Sequence, residues 1–197
     1  MEFSIIDFEK ELAEHPQMVL NKFKRLVHTV TGIVESNMSR NDAFRMLKIG
    51  RMTERALLIV RLSEIYFARL LDSEQPPTVH HWAGLLATAG AVQEYRKIYQ
   101  TSVEPMDAIE FLLRNTSFSR SLIWCIRQAE AHLVAMEISP LKTSASLHQC
   151  QIIRGMCERP LEQMLRSQPS YELNKLAQSI EKMSDLIHSD YFGKEPK

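Results

Sequence analysis

The stretch Asp42-Ala-Phe-Arg-Met-Leu-Lys-Ile-Gly50-Arg-Met-Thr-Glu54-Arg-Ala-Leu-Leu-Ile-Val60-Arg-Leu-Ser-Glu64-Ile-Tyr-Phe-Ala-Arg-Leu-Leu71 decides the fold. It holds no proline and a single glycine, so the chain can run through it as one helix of about 45 Å, at a rise of about 1.5 Å per residue. Phe44, Leu47, Ile49, Leu57, Ile59, Val60, Leu62, Ile65 and Phe67 lie on almost every side of that helix. A helix that is apolar all round belongs in the middle of a bundle.

The flanking sequence repeats at the same spacing, and no segment sustains the alternation of a strand. A helix is expected over 5–14, ending at Pro16. The next carries Val19, Phe23, Leu26, Val27, Val30 and Val34 on one face, broken at Asn37-Met38-Ser39, with Ser39 or Asn41 able to cap the long helix. After a loop at 72–77, helices are predicted over 80–88, 91–99 and 105–113, the last opened by Pro105 in its first turn. A polar connector at 114–119 leads into 121–136, where Leu122, Ile126, Ala129, Leu133 and Met136 form a seam. Beyond a loop at 139–144, a helix from Ser146 should be interrupted at Pro160. The last, over 171–191, spaces Leu173, Leu176, Ile180, Met183 and Ile187 alternately three and four apart, which is a packing seam. The expectation is an all-α single-domain bundle of seven to nine helices around a long central helix, covering residues 1–197.

Composition narrows the function classes. The chain has 197 residues, 24 basic against 24 acidic, and 45% hydrophobic residues, which is ordinary for a globular protein and excludes a disordered one. Zero net charge argues against a protein that grips nucleic acid backbones. The start reaches acidic residues at once and lacks a secretory leader, and the longest solidly apolar run, 56–60, is far too short for a bilayer. A cytoplasmic protein with no membrane partner is therefore expected. Cys150 and Cys157 stand two helical turns apart, about 10.5 Å, which is beyond disulfide reach. The three cysteines read as small core hydrophobes in a reducing compartment.

Complete catalytic constellations do not occur in the sequence. A carboxylate-bridged metal centre needs Glu-x-x-His on two helices, and only Asp185-Leu-Ile-His188 has a similar spacing. His80 and His81 diverge by about 100° on a helix and make a poor chelate. With no Gly-rich phosphate loop, nucleophile elbow or zinc pattern either, no metal and no cofactor is called for.

One segment of the long helix stands out. Gly50-Arg51-Met52-Thr53-Glu54-Arg55 places charge among apolar neighbours, and Arg51 can pair with Glu54 one turn on. Positions 47, 51, 54, 58, 61 and 65 share a face, so Glu54 and Arg61 should lie among Leu47, Leu58 and Ile65. Gly50 costs about 1 kcal/mol in a helix interior, which implies close approach of another backbone. Two readings stay open: a buried ion network that fixes helix register, or a functional carboxylate held by arginines.

Arg40-Asn-Asp-Ala-Phe44 followed by Leu47-Lys-Ile-Gly50-Arg51-x-x-Glu54-Arg55-Ala56 resembles the alpha-E family of bacterial helical proteins, in particular its later module. Trp82-Ala-Gly-Leu-Leu86, Glu94-Tyr95 with Tyr99, Ile109-Glu-Phe-Leu-Leu113, Phe118-Ser-Arg120-Ser121 and Tyr191-Phe192 follow in the family's order, so the resemblance covers about 20–192. Where the family often has Asp and Pro before the Arg-Ser pair, this chain has Asn115 and Ser119. The resemblance implies candidate binding residues Gly50, Arg51, Glu54, Arg55, Trp82, Tyr95, Asn115, Arg120 and Ser121, with Glu54 the candidate catalytic group. It also implies association with circularly permuted ATP-grasp ligases or transglutaminase-like cysteine peptidases. The leading expectation is a non-catalytic helical partner of an ATP-grasp-type peptide or amide ligase. The alternatives are an enzyme of peptide or amide chemistry that uses Glu54 with Arg51, Arg55 and Arg120, and an oligomerising scaffold built from its terminal helices, a homo-oligomer.

Overall fold

The computed structural model describes residues 5–71, 78–100, 102–137, 143–160 and 169–193. Nine helices and no strand occur among them: α1 (Ile5–Glu14), α2 (Pro16–Asn37), α3 (Asp42–Leu71), α4 (Val79–Thr88), α5 (Val92–Ile98), α6 (Pro105–Arg114), α7 (Leu122–Val134), α8 (Ala145–Cys157) and α9 (Pro169–Tyr191). The all-α expectation holds. The expected loop at 72–77, most of that at 139–144 and the chain after Pro160 as far as 168 lie outside the described residues.

The chain divides into two compact units, residues 1–44 and 45–197. The first is the α1–α2 pair. Pro16 takes the first turn of α2, where its missing N–H costs nothing. Phe8 and Phe23 meet edge to face at 5.5 Å, and Lys22 pairs with Glu11 at 2.9 Å. The seam expected on α2 is largely open: Val19 is buried, whereas Phe23, Leu26, Val27 and Val30 are exposed. Within this unit Asn41, not Ser39, caps α3, its Oδ1 accepting from the Phe44 N–H at 3.2 Å.

In the second unit α9 packs on α8, α8 on α7, α7 on α6, and α6 on α4, which also meets α5. The seams of α7 and α9 are buried as their spacing predicts, with Leu122, Ile126, Ala129 and Leu133 on one and Leu173, Leu176, Ile180, Met183 and Ile187 on the other. Helix α3 contributes Ile49, Met52, Ala56, Ile59, Val60 and Phe67 to the same core. Its expected burial on all sides does not hold: Leu47, Leu58 and Ile65 are exposed, so α3 has one core face and one open face. The reason is spacing. Ile49, Met52, Ala56 and Val60 fall three or four apart, with Ile59 beside Val60 and Phe67 seven further on, and one such stripe satisfies the helix.

Helix α8 stops at Cys157, three residues before the proline expected to interrupt it. Arg114 ends it from outside, donating through Nε to the Cys157 carbonyl at 2.8 Å and through Nη2 to the Arg159 carbonyl. A cation on the last carbonyls of a helix satisfies orphan acceptors and suits the negative end of its dipole.

Candidate functional site

Helix α3 sends its charged segment to two places. Residues adjacent on a helix diverge by about 100°, so Glu54 and Arg55 cannot face the same surface, whereas Gly50 and Glu54 can.

On the first side, Gly50 and Glu54 line a groove of about 390 Å³ between α3 and the end of α9, with Met46, Ile49 and Thr53 on the same wall. Ser184, Ile187, His188 and Phe192 form the opposite wall. A second hollow of about 200 Å³ shares Thr53, Glu54 and Ser184 and extends to Leu57, Ile180, Glu181 and Asp185. Among the described residues lining the two hollows there is no lysine or arginine, whereas Glu54, Glu181 and Asp185 are present. The Thr53 hydroxyl donates to the Ile49 carbonyl at 2.9 Å, and Ser184 faces it on the opposite wall. The groove's far end is tied by Arg61, which reaches Glu64 on its own helix and Glu181 on α9, each at 2.8 Å, and Asn174 at 3.1 Å. The hydrogen bonds that Arg61 donates to Glu181 and Glu64 hold its pKa above its ordinary value.

Two expectations about this segment are corrected here. Glu54 is exposed and, among the described residues, forms no salt bridge, so the buried ion network is not what holds it. Gly50 has nothing within 4 Å of the place a Cβ would occupy, so no backbone approaches it and its hydrogen only widens the groove.

On the second side, Arg51 and Arg55 lie half-buried, one helical turn apart. Burial first, then the Arg51 charge, pulls the Arg55 pKa below its ordinary value; the Cys125 thiol opposes this and Arg120 adds to it. Arg120 is exposed and donates through Nη1 to the Ala89 carbonyl at 3.2 Å. Its guanidinium occupies the space above Gly90, where a Cβ would stand 2.2 Å from Nη1. Gly90 also has a φ of 65°, the left-handed region that glycine enters without penalty.

The other candidates lie elsewhere. Trp82 and Tyr95 are core side chains, each 1% exposed; Trp82 meets Phe67 and Tyr95 stacks on Tyr99 at 4.6 Å. Burial lifts the Tyr95 pKa, against a smaller opposing pull from the Glu104 backbone. Asn115 and Ser121 shape the connector into α7. The Asn115 side chain accepts from the backbone N–H groups of Ser117 at 2.9 Å and Phe118 at 2.7 Å, and Ser121 caps α7 by accepting from Trp124 N–H at 3.2 Å. The Ser121 hydroxyl in turn donates to the Asn115 carbonyl.

The α9 side chains of the groove, Ser184, His188 and Phe192, were not singled out as binding residues from sequence. Their signals in the sequence are Asp185-x-x-His188, weighed only as a metal pattern, and Tyr191-Phe192, which belongs to the family resemblance. Among the described residues no group of three or more His, Cys, Asp or Glu is placed to hold a metal ion. His81 turns instead to the Tyr66 carbonyl, 3.1 Å from Nε2. The thiols are buried, and burial pushes their pKa values up, to about 11 for Cys125 and about 12 for Cys150 and Cys157. No helix among the described residues is long and apolar enough to cross a membrane.

A family model described as Alpha-E, "a predicted alpha-helical domain with a conserved ER motif", matches residues 4–192, reaching further towards the N-terminus than the motifs read from the sequence. The dipeptide Glu-Arg occurs in this chain at 54–55, in the charged segment of α3, and at 158–159, just past the end of α8. No curated protein and no solved structure matches the chain.

Proposed function

The chain belongs to the alpha-E family, and from that premise we propose that it is a non-catalytic helical partner of an ATP-grasp-type peptide or amide ligase. It takes a basic segment of that enzyme, or of its peptide substrate, into the α3–α9 groove, with Glu54-Arg55 as the family's ER pair. The observation that carries this reading is the exposed Glu54 carboxylate, without a salt bridge among the described residues, on a groove whose described lining holds acidic, apolar and small polar side chains and His188 but no lysine or arginine. Such a surface offers charge to a cationic side chain and an apolar wall, Ile49 and Ile187, to its neighbours. A transglutaminase-like peptidase is the other partner class that the resemblance implies.

Binding is favoured over catalysis by what surrounds Glu54. Arg55 leaves α3 about 100° away from Glu54, so the enzyme reading loses that guanidinium. The buried thiols are protonated at neutral pH and poor nucleophiles. The scaffold reading loses one of its terminal seams, because that of α9 is used inside the second unit.

Co-purification with the tagged chain tests the proposal. An ATP-grasp ligase or a transglutaminase-like protein should be recovered. Glu54→Lys, which reverses the groove's charge, and Gly50→Leu, which fills it, should both lose that partner while the melting temperature stays near the parent's. Equal recovery by both variants, or recovery of neither protein class by the parent, overturns it.

A further inference from the structure

Helix α2 carries an apolar face that its own unit leaves bare. At about 100° per residue, the positions from 19 to 34 that fall within one arc of about 140° are all apolar. Leu20, Phe23, Leu26, Val27, Val30 and Ile33 lie on that arc, and each is between 42% and 59% exposed. Length explains why. Helix α1 has 10 residues and α2 has 22, so α1 can run beside only the first half of its neighbour. On that half Val19 is buried, Phe23 meets Phe8, and Lys22 is tied to Glu11. Contiguous apolar surface of this kind marks a contact with another chain.

Three features of the face fit a second copy of this same chain. The first is spacing. Leu20, Phe23, Val27, Val30 and Val34 alternate three and four apart, the repeat that lets two helices mesh along one seam. The second is charge. Lys22, Lys24 and Arg25 stand in the first half of α2, and Glu35 stands near its end. A parallel pair would set cations level with cations, whereas an antiparallel pair sets each basic half beside an acidic end. In that register Phe23 is level with Val34 of the second copy and Val27 with its Val30. Lys24 then comes within two residues of the second copy's Glu35, on the same flank of the seam. Glu35 stands 3.7 Å from Arg40 of its own chain, and a carboxylate has room for a further donor. The third is area. Six half-open side chains present on the order of 500 Å² of apolar surface per copy, or about 1,000 Å² in a pair, which reaches the lower bound for a specific interface.

We propose that two copies of the chain associate through α2, packed antiparallel about a two-fold axis near residues 28 and 29. The pairing uses nothing of the Glu54 groove, so either reading can fail without the other.

Sedimentation of the full chain over about 1–100 µM tests the pairing. The mass should rise with concentration from 22.8 kDa towards twice that value. Val27→Glu and Val30→Glu each bury two charges per dimer and should raise the dissociation constant at least about a hundredfold. Both side chains are exposed in the single chain, so circular dichroism should show parent helix content in both variants. Leu58→Glu, at an exposed leucine of α3, should leave the dissociation constant unchanged. Orientation is read by carbodiimide cross-linking of the unmodified protein. Lys24 and Glu35 of one chain stand eleven residues apart, about 16 Å along the helix, so an amide between them forms only between copies. Mass spectrometry of the covalent dimer should find that amide. A chain that stays at 22.8 kDa throughout, leaving the face to another protein or to another part of the same chain, overturns the proposal. So does a dimer that neither glutamate variant weakens, or one whose cross-links omit Lys24 with Glu35.

Discussion

Arg61 on α3 and Glu181 on α9 stand 2.8 Å apart across 120 residues of chain, and Glu181 also lines the smaller hollow that Glu54 shares. The pair is open to water, with Arg61 38% and Glu181 45% exposed, so its worth is small despite its short distance. A double-mutant cycle with Arg61→Ala and Glu181→Ala should give a coupling of about 0.2–1 kcal/mol, read by urea denaturation and shrinking with added salt.

Gly50 and Gly90 should respond in opposite directions to alanine. Gly50 sits within a helix with free space around it, so Gly50→Ala should stabilise by about 0.5–1 kcal/mol. Gly90 combines a φ of 65° with the Arg120 guanidinium overhead, so Gly90→Ala should destabilise by about 1–2 kcal/mol. Adding Arg120→Ala should recover the steric part and leave the backbone part. Chemical denaturation of the four proteins checks this.

The connector before α7 depends on two small side chains. Ser121→Ala removes a helix cap and should cost about 0.5–2 kcal/mol. Asn115→Ala should cost about 1–2 kcal/mol, because two backbone N–H groups lose their acceptor. Asn115→Asp keeps an oxygen in that place and should fall within about 0.5 kcal/mol of the parent at pH 7. Melting curves of the three variants distinguish these outcomes.

The cysteines set an alkaline limit. Their pKa values are raised from 9.0 to about 11 for Cys125 and about 12 for Cys150 and Cys157, all chiefly by burial. Between those limits the unfolded chain loses thiol protons that the folded chain keeps. Their contribution to stability is therefore complete below about pH 9 and declines as pH rises towards 11–12, by up to about 1.4 kcal/mol per pH unit for each thiol. Urea denaturation at pH 8, 9 and 10 should show the onset. At pH 8 a thiol reagent should label the native chain only as fast as it opens.

Elements whose information is local were legible in the sequence. Pro16 marks the end of the first helix, Pro105 marks a first turn, and the three-and-four spacing from Leu173 to Ile187 gives a buried seam without reference to anything else. What the sequence could not supply was which apolar residues find a partner. Leu58 and Ile59 are adjacent and equally hydrophobic, yet one is 63% exposed and the other 4%. The groove was illegible for the same reason. Glu54 was singled out by its charge among apolar neighbours, but its opposite wall, Ser184 and His188, comes from a helix more than a hundred residues away. Periodicity says which face a residue is on and not what stands across from it.

The divergence of Glu54 and Arg55 makes α3 a ruler as well as a scaffold. Gly50 and Glu54 mark one edge, Arg51 and Arg55 another, and the helical pitch fixes the phase between them. Changing a side chain alters what one edge offers, whereas changing the length of the segment breaks the phase itself. One residue inserted between Arg51 and Glu54 would swing everything before it by about 100°, carrying Gly50 out of the groove and Arg51 away from Arg55 while Glu54 stayed in place. The segment should therefore tolerate many replacements and very few insertions.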